Sequence, residues 1–217
     1  MIHVACSGFP VPVSRYWGDF PAVELSDTEL AIPGEGTVRR WRRESPPGYA
    51  FTLIAPKVLA EGGFRRTKET RELLGEVATL AATLEALAVV FHAADLKPGK
   101  STLATLKAFV GIVPTSIAHV ALDVPQLKPD HVAGVNKRRV VVAYDPLTDR
   151  TPPLRELAYI RLPGPAGHRS RYDDAALAKV ADACRAAEKT AGEVFCVFRN
   201  IDMHANATSL LKLLGQG

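Results

Sequence analysis

Polar side chains recur where the apolar runs of this 217-residue chain end. Glu24 lies in AVEL, Lys57 follows YAFTLIAP, His92 ends AVVFH and Asp123 ends HVALD. Asp145 follows VVVAY, Arg161 lies in LAYIRL, and Arg199 and Asn200 follow EVFCVF. Two kinds of chemistry suit these residues. Arg161 and Arg199 can hold a carboxylate or phosphate through charge-assisted, bidentate hydrogen bonds, with Asn200 orienting the bound group and Lys57 as a further ligand contact. Glu24 and Asp123 are candidate acid/base groups and His92 a candidate proton carrier.

A divalent metal is the one cofactor these types suggest, on a set drawn from Glu24, His92, Asp123, Asp145 and Asp202. No HxH motif marks it, and the DMH of Asp202 to His204 is a common spacing. The plainer reading is that an Asp after a strand caps the next helix. Arg161 has a plainer reading too, as a structural ion pair with Glu24 or Asp202. GPAGHRSR, Gly164 to Arg171, offers a glycine-bearing loop with His168, Arg169 and Arg171 but no phosphate-loop spacing. No GxSxG elbow occurs, so serine-type hydrolysis has no support.

Eight runs rich in apolar and β-branched residues must position these groups: IHVAC, AVEL, YAFTLIA, AVVFHA, HVALDV, RRVVVAY, LAYIRL and EVFCVF. Stretches with helical period lie between most of them. From Glu69 to Leu87 an apolar stripe falls at spacings of three and four; Asp173 to Ala191 repeats it behind a capping Asp, and Ala205 to Leu214 adds a third. Strands alternating with helices imply βαβ units and a parallel sheet covered on both faces. Eight such strands favour an α/β fold of the (β/α)8 TIM type, a single compact domain over residues 1–217. Pro152 and Pro153 disfavour a helix between Tyr144 and Leu157, so one helix of the ring is expected to be reduced or missing. In such barrels the strand C-terminal ends carry the active site, which is where the polar residues fall.

Composition narrows the partners. Hydrophobic residues at 47% and charged ones at 23% are globular values, and a net charge of +4 permits anionic ligands without marking a nucleic-acid binder. Positive charge is dense in VRRWRRE, where Arg39, Arg40, Arg42 and Arg43 surround Trp41. That run is either a solvated helix face or a surface for nucleic acid or protein, and stacking on bases would need an exposed Trp. Cys6, Cys184 and Cys196 are odd in number and form no CxxC, which suits a reducing cytoplasm, and Cys6 and Cys196 fall in strands as small buried hydrophobes. The N-terminal residues show no signal-peptide pattern, and no apolar stretch is long enough to span a bilayer, so no membrane partner is expected. Nothing in the sequence fixes an oligomeric state.

Several segments together resemble the YecE-like family, a family of unknown function with a TIM-barrel fold. The matching residues are Ser7-Gly8, Trp17-Gly18, Phe20-Pro21, Val23-Glu24, Pro33, Thr37-Val38, Trp41 and Pro47-Gly48. AYIRLPG, RYDDAAL and FRNIDMHANA continue the likeness, which runs from Cys6 to Leu214. The resemblance implies the barrel and retains Glu24, Arg161 and Asn200, with Asp123 standing for a glutamate. Elsewhere the chain departs from the family pattern: Glu29 and Leu30 replace aromatic residues, Ile54 a lysine, His92 a glutamine and Pro163 a histidine. The family fixes no reaction. The expected function is therefore to bind, and to hydrolyse or isomerise, a small anionic or phosphorylated ligand at the strand C-terminal ends; the alternative is a non-enzymatic module binding through Arg39 to Arg43.

Overall fold

A computed structural model describes residues 1–216. The apolar runs form eight strands: β1 (Ile2–Ser7), β2 (Ala22–Leu25), β3 (Ala50–Ile54), β4 (Ala88–His92), β5 (His119–Asp123), β6 (Val140–Tyr144), β7 (Leu157–Leu162) and β8 (Glu193–Phe198). They follow one another in sequence order around a closed barrel, with β1 pairing in parallel with β8. The helices are α1 (Val13–Asp19), α2 (Glu35–Glu44), α3 (Val58–Glu61), α4 (Lys68–Leu84), α5 (Lys100–Val110), α6 (Pro129–Ala133), α7 (Asp174–Ala191) and α8 (Met203–Leu214). The described residues between β6 and β7 contain no helix, as Pro152 and Pro153 lead one to expect.

Local chemistry sets the helix ends. Thr67 caps α4 by accepting from the Thr70 N–H, and Asp173 caps α7 by accepting from the Ala176 N–H. α4 stops three residues short of Leu87 because Glu85 turns left-handed at φ 51°, which lets the Ala86 N–H reach back to the Ala81 carbonyl. α8 starts two residues before Ala205, with Asp202 at its N-cap position.

The chain forms two compact units. One comprises Met1–Glu24, Pro46–Ala50 and 143–216. Its register sets Ser7 beside Glu24 and runs β7 along β8 from Leu157 and Glu193 to Leu162 and Phe198. Leu177, Val180 and Cys184 of α7 and Leu210 of α8 are buried in this unit, with Tyr159 and Phe195 stacked at 5.2 Å. The other comprises Leu25–Ser45 and Phe51–Val142. Its β4 and β5 pair from Ala88 and His119 to His92 and Asp123. Leu74, Val77 and Leu84 of α4 are buried, and Phe109 of α5 meets Phe64 and Phe91 at ring distances of 4.7 and 5.2 Å.

Candidate functional site

In the first unit the strand ends build a buried ion cluster around Glu24. Tyr159 and Arg161, two apart on β7, share a strand face, and both reach this carboxylate. Arg161 donates from Nε to Oε2 at 3.0 Å and from Nη2 to Oε1 at 3.1 Å, a bidentate pair. The Tyr159 hydroxyl donates to Oε2 at 2.9 Å and the Ser7 hydroxyl to Oε1 at 2.8 Å. Glu24 is fully buried and receives four hydrogen bonds. Burial pushes its carboxyl up, but the charges of Arg161 and Arg199 and the bonds from Arg161 and Ser7 outweigh that and hold it below the ordinary carboxylate range. It is an anion at neutral pH, with its lone pairs engaged, and its geometry is that of a charge partner rather than a proton carrier.

Arg199 differs from Arg161. Its side chain is 26% exposed and its Nε approaches Glu24 Oε1 only to 3.9 Å. Two guanidiniums thus share one carboxylate, and the second retains surplus positive charge facing solvent. The Arg199 backbone is fixed on both sides, its N–H donating to Leu162 and its carbonyl accepting from His168 Nδ1 at 2.6 Å. Asn200 lies beneath rather than in the mouth. It is fully buried and its amide donates to the Ser170 carbonyl at 2.9 Å and to Asn206 Oδ1 at 2.8 Å, tying the glycine-bearing loop to α8. That loop turns tightly at Gly164, whose φ of +105° and close approach to the Gly167 carbonyl leave no room for a Cβ.

In the second unit the register of β4 and β5 places His92 beside Asp123, and His92 Nδ1 lies 2.6 Å from Asp123 Oδ2. His92 lines a cavity of about 330 Å³ with Lys57, Glu29, Glu61 and Asp95. Lys57 is mostly exposed and pairs with Glu61 at 3.3 Å. Six of the seven expected residues therefore divide between two clusters, Glu24, Arg161 and Arg199 in one unit and His92, Asp123 and Lys57 in the other, while Asn200 ties the glycine-bearing loop to α8.

The remaining carboxylates are structural in placement. Asp145 accepts from the Leu147 N–H at 2.9 Å, and burial, with Asp149 nearby, pushes its carboxyl up. Asp202 pairs with Arg171 at 2.5 Å. Among the described residues no three His, Cys, Asp or Glu side chains converge as metal ligands, and the charge a metal would supply to Glu24 comes from arginines. Trp41 is buried at 5% exposure, so it offers no stacking surface, while Arg39, Arg42 and Arg43 pair with Glu35, Glu85 and Glu44. Burial pushes the Cys6 thiol up to about 12, partly offset by a bond to Tyr16, so it is inert as a nucleophile.

Ser7 and Tyr159 are the residues the site adds. The spacing of Tyr159 from Arg161 was a readable signal once the run is a strand. Ser7 required the register against Glu24.

Strand order and strand-end chemistry define the class, an α/β barrel of eight parallel strands with its polar groups at their C-terminal ends. The family described as "Protein of unknown function DUF72" matches residues 12–217, and the chain belongs to it; this is the YecE-like family its motifs resemble. Solved structures agree in fold. A DUF72 family protein of Enterococcus faecalis V583 superposes with a TM-score of 0.81 at 16% identity, covering 100% of this chain and 96% of that one. A DUF72 family protein of Thermotoga maritima MSB8 gives 0.74 at 17%, covering 99% of each. An L-ribulose 3-epimerase gives 0.61 at 12%, covering 99% of this chain and 94% of that one. No curated protein matches the sequence. No helix among the described residues is long and apolar enough to cross a membrane.

Proposed function

We propose that this protein binds a small anionic or phosphorylated ligand at the C-terminal ends of β7 and β8, with Arg199 as the contact that varies with ligand. One observation carries the reading: Arg161 saturates Glu24, so the half-buried guanidinium of Arg199 remains as a cation whose nearest carboxylate is already neutralised. A ligand phosphate or carboxylate would complete its charge balance and replace a weak 3.9 Å approach with charge-assisted hydrogen bonds. Arg161 and Asn200 act beneath it, Arg161 by fixing Glu24 and Asn200 by tying down the loop between β7 and α7. Hydrolysis and isomerisation are the reactions compatible with this reading. Three buried free thiols support placing the activity in a reducing compartment such as the cytoplasm.

The test is titration with inorganic phosphate at low salt, read by thermal unfolding. A saturable rise in Tm that disappears in Arg199→Ala supports the reading. An equal rise in Arg199→Ala, or no rise in the wild-type protein, sinks it.

A further inference from the structure

The loop between β7 and α7 is laced to the end of β8. The Ile201 N–H donates to the His168 carbonyl at 2.7 Å, His168 Nδ1 donates to the Arg199 carbonyl at 2.6 Å, and the Asn200 amide donates to the Ser170 carbonyl at 2.9 Å. These bonds pin residues 168 and 170 against residues 199–201 and hold the backbone of Arg169, between them, beside the end of β8. The loop is braced internally as well, the Gly164 N–H donating to the Tyr172 hydroxyl at 2.8 Å and the Ser170 N–H to the Gly167 carbonyl at 3.0 Å.

The basic side chains of these two segments differ in what already holds them. Arg171 pairs with Asp202 at 2.5 Å, and the His168 ring is engaged by the Arg199 carbonyl. Arg199 shares Glu24 with Arg161, which grips it bidentately. Arg169 is exposed and makes no ion pair or side-chain hydrogen bond among the described residues. The next carboxylate along the loop, Asp173, is committed to the cap of α7 through the Ala176 N–H. From this, and resting on the anion reading of Arg199, we infer that the ligand there is a small molecule with two anionic groups, such as a diphosphate or a phosphorylated carboxylic acid, and that Arg169 holds the second group. A second group tethered to the first meets Arg169 at high effective concentration, so a contact that would be weak for a free anion adds to affinity. The backbone around both arginines is hydrogen-bonded before any ligand arrives, which leaves mainly side chains to be ordered on binding. Each guanidinium offers a planar fork of donors that matches a phosphate or a carboxylate.

The experiment titrates inorganic phosphate and pyrophosphate separately into the full chain at low salt, by isothermal calorimetry. The wild-type protein is compared with Arg169→Ala, Arg199→Ala and Lys189→Ala, each checked for folding by circular dichroism. Lys189 is exposed in the last turn of α7, so its loss removes the same charge at the opposite end of that helix. The wild-type protein is expected to bind pyrophosphate at least about tenfold tighter than phosphate. Arg169→Ala should cut that ratio at least about fivefold and leave phosphate affinity unchanged, while Lys189→Ala keeps the ratio. A smaller wild-type ratio, a smaller drop in Arg169→Ala, or an equal drop in Lys189→Ala overturns the inference. If phosphate binding is meanwhile lost in Arg199→Ala, the anion reading of Arg199 still stands. No phosphate binding in the wild-type protein, or binding that survives Arg199→Ala, sinks that reading and this inference with it.

Discussion

Arg161 grips Glu24 through two parallel hydrogen bonds, Nε to Oε2 at 3.0 Å and Nη2 to Oε1 at 3.1 Å, with both side chains out of solvent. A buried pair of this kind is costly to break from one side, because the survivor is left charged without a partner. Arg161→Ala is expected to destabilise the protein by about 3–5 kcal/mol in urea unfolding. Replacing both residues, Glu24→Leu with Arg161→Met, should cost clearly less than the sum of the two single changes. Additive losses would mean that the two residues are not energetically coupled.

Acid should find the same pair. The Glu24 carboxyl sits below its ordinary value of 4.5 in the folded chain, so the unfolded chain binds its proton first as pH falls. The stability it contributes is therefore complete above pH 4.5 and is lost as pH drops through the lower folded value. Unfolding free energy measured from pH 6 downward should decline in that window. Glu24→Gln, less stable at neutral pH, should show a shallower decline there; an unchanged slope would place the acid sensitivity in other carboxylates.

Arg199 should separate binding from stability. Its approach to the buried Glu24 is long, at 3.9 Å, and its own side chain is partly solvated, which brings its contribution toward the value of about 0–1 kcal/mol for exposed ion pairs. Arg199→Ala should thus unfold within about 1 kcal/mol of wild type while losing its response to phosphate. A loss approaching that of Arg161→Ala would make Arg199 a second structural arm of the cluster.

The strands were legible because each is a short run of apolar and β-branched residues between turn-forming stretches, and a parallel strand buried on both faces needs no other signal. Helix ends were less so. Leu87 continues the apolar period of α4, yet the helix ends at Leu84 because a left-handed Glu85 must redirect the chain into β4, and nothing in the side chain of a glutamate announces that conformation. At the site, residue types were readable, while partners were readable only for Arg161, as a choice between Glu24 and Asp202. His92 and Asp123 were both candidates, but their adjacency depends on the β4–β5 register, which the 26 residues between those strands set jointly. Glu24 reads in sequence as an acid/base candidate or as an ion-pair partner of Arg161, and the structure contains that pair. Only three-dimensional packing adds Ser7 and Tyr159 to that pair and surrounds the candidate acid/base group with donors.

The basic helix provides the remaining contrast. Trp41 stands among four arginines in sequence, a composition that suits stacking on nucleic acid, but α2 turns its indole inward and leaves Arg39, Arg40 and Arg43 exposed. Three of the four arginines have carboxylate partners, so the local field is weaker than the sequence suggests. Trp41→Ala should accordingly cost about 3–5 kcal/mol, as for other large buried side chains, because it opens a cavity under α2. Charge reversal at Arg40 and Arg43 should leave stability within about 0.5 kcal/mol, as surface changes generally do. Retention on immobilised single-stranded DNA at 50 mM and 200 mM salt completes the comparison. Weak retention, unchanged in a folded Trp41→Phe variant, is expected of a buried packing residue. Strong, salt-sensitive retention abolished by the charge reversal would instead make α2 a phosphate-binding face.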